Sequence, residues 1–192
     1  TQIASKMQGK GVVVANDVQE KRLWVLRSSL QRSGVTNAIV TKRVGQGFAK
    51  WTEQFDRVLC DAPCTAEGTS RKDSDALRYC SPENVKKMST LQLQLLEAAV
   101  HACKVGGRIV YSTCTLTPEE NEGTVLAMLE RFPTQLRVLD PMRDLGLRTW
   151  DFTKAIDDSY VVQKTLSPHA QVPSPPQPML RLWPQTYDTE GF

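Results

Sequence analysis

Three places in the 192-residue sequence combine residue types that can do chemistry. Asp61-Ala62-Pro63-Cys64 sets a carboxylate and a thiol on either side of a proline, Ser112-Thr113-Cys114-Thr115 sets a second thiol among hydroxyls, and Asn16-Asp17 closes a run of valines. Pro63 fixes its own φ and biases Ala62 toward an extended conformation, so Cys64 sits on stiff backbone. Free cysteine is among the most buried residue types, and a packing role for Cys64 therefore stands beside a chemical one. Cys114 lies one helical turn ahead of Thr117-Pro118-Glu119-Glu120, which reads as a capping box. A helix N-terminus lowers the pKa of a nearby thiol and favours the nucleophilic thiolate, while Glu119, Glu120 and Glu122 oppose that effect. Asp17 has two readings: an acceptor for the hydroxyls of an adenosine ribose at a strand end, or a cap for the following helix. Cys60 and Cys64 have a spacing that zinc tolerates, but a strand through Cys60 turns it inward, and His101 and His169 add no ligand pattern. No metal is expected.

The elements that must position these residues alternate between two periods. Residues 10–17 read as a buried strand, and 19–33 as a helix with Leu23, Leu26 and Leu30 on one face and Gly34 at its C-terminus. A short strand is expected over 37–41, a weak helix or loop over 45–54, and a strand with covered faces over 55–61. Residues 65–80 are polar without a clear period and form a long loop, a common home of function. Ser81-Pro82 opens the strongest helix, with Val85, Met88, Leu91, Leu95, Ala99 and Cys103 at helical spacing and Gly106-Gly107 as its stop. A strand over 108–112, a helix from Thr117 to about Phe132 burying Val125, Leu126 and Leu129, and a strand over 135–139 follow. This alternation predicts an α/β chain with a parallel sheet covered on both faces. Asp17, the Asp61–Cys64 turn and Cys114 then meet at the carboxyl edge of the sheet, where such folds bind ligands.

The whole chain reads as one domain over 1–192, with a less regular part over 141–192 that contains Pro-Ser-Pro-Pro-Gln-Pro at 173–178, an extended connector. Its charged fraction of 23%, apolar fraction of 40% and net charge of +3 fit an ordinary globular protein, and permit a nucleic-acid partner without demanding one. Five irregularly spaced cysteines argue against a disulfide scaffold and for a reducing compartment. No signal peptide, long apolar run or internal repeat is apparent. Residues 1–7 read as the remainder of a helix already under way, and Gly191-Phe192 as the start of a strand, so a longer parent protein is expected.

Asp61-Ala62-Pro63-Cys64, together with Tyr111-Ser112-Thr113-Cys114-Thr115-Leu116-Thr117-Pro118-Glu119-Glu120-Asn121-Glu122, closely resembles the NOL1/NOP2/Sun family of RNA cytosine-C5 methyltransferases. The resemblance extends from about residue 1 to residue 192. It implies a Rossmann-like methyltransferase domain with a mostly parallel central sheet that uses S-adenosylmethionine, with the first strand and the cofactor glycine loop missing here. By the same resemblance Cys114 is the nucleophile, Cys64 helps to release product, Asp61 contacts the base and borders the cofactor, and Asp17 holds the cofactor ribose. Pro63 sets the base edge, and Arg71 and Lys72 either meet RNA phosphate or are plain solvated surface. The loop over 67–73 looks like that of members that modify ribosomal RNA in bacteria, which puts ribosomal RNA ahead of tRNA as the partner. The implied location is cytoplasmic, and the implied state a monomer or a chain linked to an RNA-binding domain. Two departures stand out: Thr41-Lys42-Arg43-Val44-Gly45 lacks the acid the family carries near the adenine, and Pro184-Gln185 replaces its Pro-His. A non-catalytic RNA- or protein-binding module that keeps the fold is the alternative reading, motivated by the lack of a glycine-rich cofactor loop.

Overall fold

The computed structural model describes residues 1–139. Expectations for 141–192, including the proline-rich connector, Pro184-Gln185 and the closing strand, lie outside the described residues. Helix α1 (Gln2–Lys6) precedes strand β1 (Val13–Asn16), helix α2 (Glu20–Arg32) and strand β2 (Ala38–Thr41). A 3-10 helix, Gly45–Lys50, leads to β3 (Phe55–Asp61). Two short 3-10 helices, Glu67–Thr69 and Ser74–Tyr79, fill the expected long loop before α3 (Pro82–Ala102), β4 (Cys103–Ser112) and α4 (Glu122–Arg131).

Both strand pairs are parallel. Val13 to Asn16 face Ala38 to Thr41, while Leu59 faces Val110 and Asp61 faces Ser112. Parallel neighbours need a crossover, and α2 and α3 supply one each. Among the described residues the β1–β2 ladder and the β3–β4 ladder are separate. Contrary to expectation, among the described residues β3 is covered on one face only. Val58 and Cys60 are half-buried, whereas Leu59 and its neighbour Val110 are 53% and 56% exposed. The alternation is that of a half-covered sheet, which the apolar run Val58-Leu59-Cys60 does not reveal.

Helix α3 starts as its sequence dictates: Ser81 Oγ accepts from Asn84 N–H at 3.2 Å, and Pro82 takes the first helical position. It ends earlier than expected, at Ala102. The carbonyls of His101 and Ala102 accept from Glu53 and Gln54 N–H, so the chain leaves the helix with those acceptors satisfied and enters β4 directly. Gly106-Gly107 therefore stops no helix. It belongs to an irregularity in the ladder, where residues 104–107 of β4 lie opposite Asp56 between the paired positions Phe55–Cys103 and Arg57–Arg108. Gly106 has φ +78°, and a Cβ on Gly107 would stand 2.5 Å from Cys103 Sγ and 2.8 Å from Lys104 O. Gly107→Ala should thus destabilise the fold by about 1–3 kcal/mol, read as a lower denaturant midpoint for the full-length protein. An unchanged midpoint would mean that this bulge relaxes freely.

The helix expected from Thr117 opens instead at Glu122. Residues 118–121 form a turn in which Asn121 and Gly123 N–H both donate to Pro118 O. Glu120, which a capping box would aim back at Thr117 N–H, is turned inward and fully buried. Thr124 and Met128 are the fully buried positions of α4, and Val125, Leu126 and Leu129 are only half-covered. No strand forms over 135–139. The core takes Leu23 and Leu30 from α2, Leu96, Ala98, Ala99 and Ala102 from α3, and Met128 from α4. A second buried group is polar: Thr65, Gln92, Thr113, Thr115 and Glu120. Buried polar groups demand partners, and here they find one another beside the two cysteines.

Candidate active site

Because β3 and β4 are parallel neighbours in register at Asp61 and Ser112, the residues that follow both strands leave the sheet at the same edge. Ala62 N–H donates to Ser112 O at 3.0 Å and Gly68 N–H to Cys114 O at 3.1 Å, which fixes the two loops side by side. Cys64 Sγ and Cys114 Sγ lie 3.3 Å apart, and Cys114 N–H donates to Cys64 Sγ at 3.3 Å. Both cysteines are free and half-buried. Asp61 is exposed next to them, its Oδ1 accepting from Ser112 Oγ at 3.2 Å.

Two thiols this close share their protons unequally. The Cys64 thiol donates to Cys114, and that hydrogen bond draws the Cys114 pKa down to about 7 against the opposing effects of burial and of the Asp61 charge. Cys64 is pushed far above the ordinary thiol range, first by the same hydrogen bond and then by burial. The pair therefore gives up its first proton near neutral pH, from Cys114, while Cys64 keeps its own. Iodoacetamide labelling of Cys114, followed by peptide mass spectrometry, should rise through pH 7. In Cys64→Ala, with the donor gone, the midpoint should move up toward an unperturbed thiol and labelling at pH 7 should slow on the order of tenfold. An unchanged profile would rule out Cys64 as the cause.

Two carboxylates hold the loops in a reciprocal clasp. Glu120, from the Cys114 loop, reaches across to the Cys64 loop, where its Oε2 accepts from Thr65 N–H at 3.1 Å and from Gln92 Nε2–H at 2.7 Å. Its Oε1 accepts from the Thr117 hydroxyl at 3.0 Å, and the single proton of the Thr65 hydroxyl is shared between this oxygen and Glu67 Oε2. Gln92 also donates from Nε2 to Pro63 O at 2.8 Å, so the residues before and after Cys64 are both tied down. Glu67, from the Cys64 loop, reaches the other way and accepts from Leu116 N–H at 2.6 Å and from the Thr115 hydroxyl, with Thr65 Oγ1 at 2.8 Å on its second oxygen. Burial raises the Glu67 pKa, but the hydrogen bonds from Thr115, Thr65 and backbone outweigh it and leave the carboxyl below its usual range. Asn121 completes the Cys114 loop by donating to Thr115 O and Thr117 O and accepting from the Thr113 hydroxyl, and the Tyr111 hydroxyl donates to Glu120 O at 2.6 Å.

The sequence matches the family described as 16S rRNA methyltransferase RsmB/F across residues 1–192. The chain belongs to the RsmB/F family. Ribosomal RNA small subunit methyltransferase F of Aeromonas salmonicida is 42% identical over 193 residues, covering 100% of this chain and 36% of that protein. The protein of the same name from Aliivibrio fischeri strain ES114 is 39% identical over the same share of each. The chain thus spans about a third of the length of the curated relatives it matches. Among solved structures, the crystal structure of PH0851 aligns with a TM-score of 0.76 at 28% identity, covering 98% of this chain and 37% of that one. NSun6 from Pyrococcus horikoshii with SFG aligns with a TM-score of 0.71 at 24% identity, covering 99% of this chain and 42% of that one. The fold is α/β and Rossmann-like, with a mostly parallel central sheet.

Within this RsmB/F domain the other expected site residues are spread more widely. Pro63 is exposed at the cysteine pair, and its carbonyl accepts from Gln92 Nε2–H. Arg71 and Lys72 are exposed on the turn between the two short 3-10 helices. Asp17 follows β1 on the other strand pair. Its Oδ1 accepts from Gln19 N–H at 2.7 Å, an Asx-turn ahead of α2, whose N-cap is Gln19 without a side-chain capping bond, and its Oδ2 lies 3.8 Å from Arg22 Nη1. That carboxylate keeps acceptor capacity at a strand end, so its donor set fits a ribose diol. Arg43 N–H and Asn16 are joined side chain to backbone just beyond, and Arg43 stacks on Trp51 at 5.6 Å, in the stretch without the adenine acid. Gln92, Glu67 and Glu120 did not emerge from the sequence as site residues. A glutamine one helical turn beyond Met88, on the otherwise apolar face of an amphipathic helix, was the available signal. Among the described residues no cluster of three or more His, Cys, Asp or Glu could hold a metal ion, and no helix is long and apolar enough to cross a membrane.

Proposed function

We propose that the full-length protein carrying this chain transfers a methyl group from S-adenosylmethionine to C5 of a cytosine in RNA, in small-subunit ribosomal RNA ahead of tRNA. The reading rests above all on the 3.3 Å pair of Cys64 and Cys114 at a strand edge, with the thiolate on Cys114. Membership of the RsmB/F family and the names of the relatives support the substrate class. Bound S-adenosylmethionine supplies an electrophilic methyl group, and Asp17 would accept from its ribose hydroxyls.

C5 of cytosine is a poor nucleophile. Addition of the Cys114 thiolate to C6 forms an S–C6 bond and moves the electron pair of the C5–C6 double bond toward C5, which can then take the methyl group. Sulfur suits this role because it adds readily and leaves again. Asp61, exposed at the mouth, can meet the N3 and N4 edge and support protonation at N3. Release needs the C5 proton removed. Its electron pair re-forms the double bond, the S–C6 bond breaks, and Cys114 leaves as thiolate. Cys64 keeps its own proton beside the Cys114 thiolate, so it serves by orienting a water that takes the C5 proton, or as the base itself only after it has given its proton to solvent once the Cys114 sulfur is bonded to C6. A paired base must be flipped out to reach these groups, at a cost of a few kcal/mol. Arg71 and Lys72 stand where backbone phosphate could be met.

The test is incubation of the full-length protein with S-adenosylmethionine and, separately, unmodified small-subunit RNA, small subunits and tRNA, followed by nucleoside mass spectrometry. 5-Methylcytosine in the ribosomal arms is the expected result. Product in tRNA alone would change the substrate, and no product in any arm would favour a non-catalytic binding module.

A further inference from the structure

We propose that Glu120 and Glu67 are positioning residues with separate duties, Glu120 for the release step through Cys64 and Glu67 for the addition step through Cys114. The proposal rests on the methyl-transfer reading above and deepens it. Its basis is the direction of the two clasps. Glu120 lies in the Cys114 loop yet grips the neighbours of Cys64, directly at Thr65 N–H and through Gln92 at Pro63 O. Glu67 lies in the Cys64 loop yet grips the residues that follow Cys114, at Leu116 N–H and the Thr115 hydroxyl. Among the described residues each donor to either carboxylate is neutral: a hydroxyl, an amide or a backbone N–H. Burying a carboxylate without a cation is costly, and well-packed apolar residues are often at least as stabilising as buried charge. What these glutamates do provide is directional hold on backbone within one residue of Cys64 and two of Cys114.

Among the described residues the Cys64 sulfur is held by Cys114 and by the backbone of Ala66. Its placement over a base bonded to Cys114 therefore depends on the backbone on either side of it, which Glu120 fixes. If Cys64 drifts, addition can still occur but proton removal and expulsion of the sulfur stall. If the 115–116 backbone drifts, the Cys114 sulfur misses C6 and the sequence of steps never begins. Displacements of about 1 Å are enough to change such steps by up to 10²-fold. The Thr65 and Thr115 hydroxyls, 3.1 Å apart, join the two halves, yet the two carboxylates point at opposite loops.

The experiment uses the full-length protein as wild type, Cys64→Ala, Glu120→Ala, Glu120→Gln, Gln92→Ala, Glu67→Ala and Glu67→Gln. Each is scored for 5-methylcytosine formed, for covalent protein–RNA adduct on unmodified RNA, and for the pH profile of Cys114 labelling by iodoacetamide without RNA. Glu120→Ala should lose product about tenfold or more while adduct accumulates as in Cys64→Ala, with the KM for S-adenosylmethionine unchanged. Gln92→Ala should shift the adduct-to-product ratio the same way, and Glu120→Gln, whose amide oxygen can still accept from Thr65 N–H and Gln92, should restore part of the turnover. Glu67→Ala should lose product and adduct together, with partial return in Glu67→Gln. Should Glu120→Ala fail to fold, Gln92→Ala and Glu120→Gln carry the same comparison. Equal adduct-to-product ratios in the Glu120, Gln92 and wild-type proteins, or adduct accumulation in the Glu67 variants, would overturn the proposal. Absence of adduct in Cys64→Ala would instead count against the methyl-transfer reading. The labelling profiles would still test the clasp, because Glu120→Ala should raise the Cys114 midpoint through loss of its Cys64 donor.

Discussion

Cys114→Ser should lower single-turnover methylation by on the order of 10³-fold or more without weakening the binding of S-adenosylmethionine or RNA. The size of the effect follows from the group removed. Cys114 ionises near neutral pH because the Cys64 thiol donates to it across 3.3 Å. A serine hydroxyl in the same place keeps its proton, since one neighbouring thiol cannot offset the far higher pKa of an alcohol. Steric fit changes little, so binding should be spared and the loss should fall on the chemical step. A serine variant within tenfold of wild type would mean that no sulfur–C6 bond is made at this position.

Cys64→Ala should produce the opposite kind of failure. Addition still proceeds from Cys114, slowed on the order of tenfold at pH 7 by the upward shift of its pKa. Release is hit harder, because the group nearest Cys114 that can take or relay the C5 proton is gone. Protein bound covalently to RNA should therefore accumulate in denaturing gels, and product formation should stop near one turnover. In the double variant Cys64→Ala, Cys114→Ser the adduct should disappear. Adduct that persists in the double variant, or never forms in the single one, would reverse or remove the roles assigned to the two cysteines.

The parts of this site legible in the sequence were those that follow from strand-end geometry. Alternating strand and helix periods imply parallel neighbours, and parallel neighbours bring Asp61, Cys64 and Cys114 to one edge across a long stretch of chain. Ser81-Pro82 marked the start of α3 because capping is local chemistry. What stayed hidden depends on contacts between elements. Gly106-Gly107 looks like a helix stop until Phe55 and Cys103 are seen paired, which makes it a bulge. Glu120 looks like a capping residue until Thr65 and Gln92 compete for its carboxylate and win. Removing that carboxylate from the cap is consistent with the first regular turn of α4 beginning at Glu122. Leu59 looks buried by its type, and only the placement of the neighbouring elements decides that its face is open. The sequence likewise left Asp17 with two uses; its bond to Gln19 N–H is a turn contact ahead of α2 and not a helix cap, and it leaves acceptor capacity to spare.

The most direct measurement is the identity of the residue that bonds to the base. RNA carrying 5-fluorocytosine cannot complete release, since fluorine at C5 does not leave as a cation, so the addition product is trapped after methyl transfer. The full-length protein is incubated with that RNA and S-adenosylmethionine, digested, and the crosslinked peptide sequenced by mass spectrometry. The nucleotide should be found on Cys114, and should remain there in Cys64→Ala. A nucleotide on Cys64, or no crosslink with RNA that the wild-type protein methylates, would contradict the account.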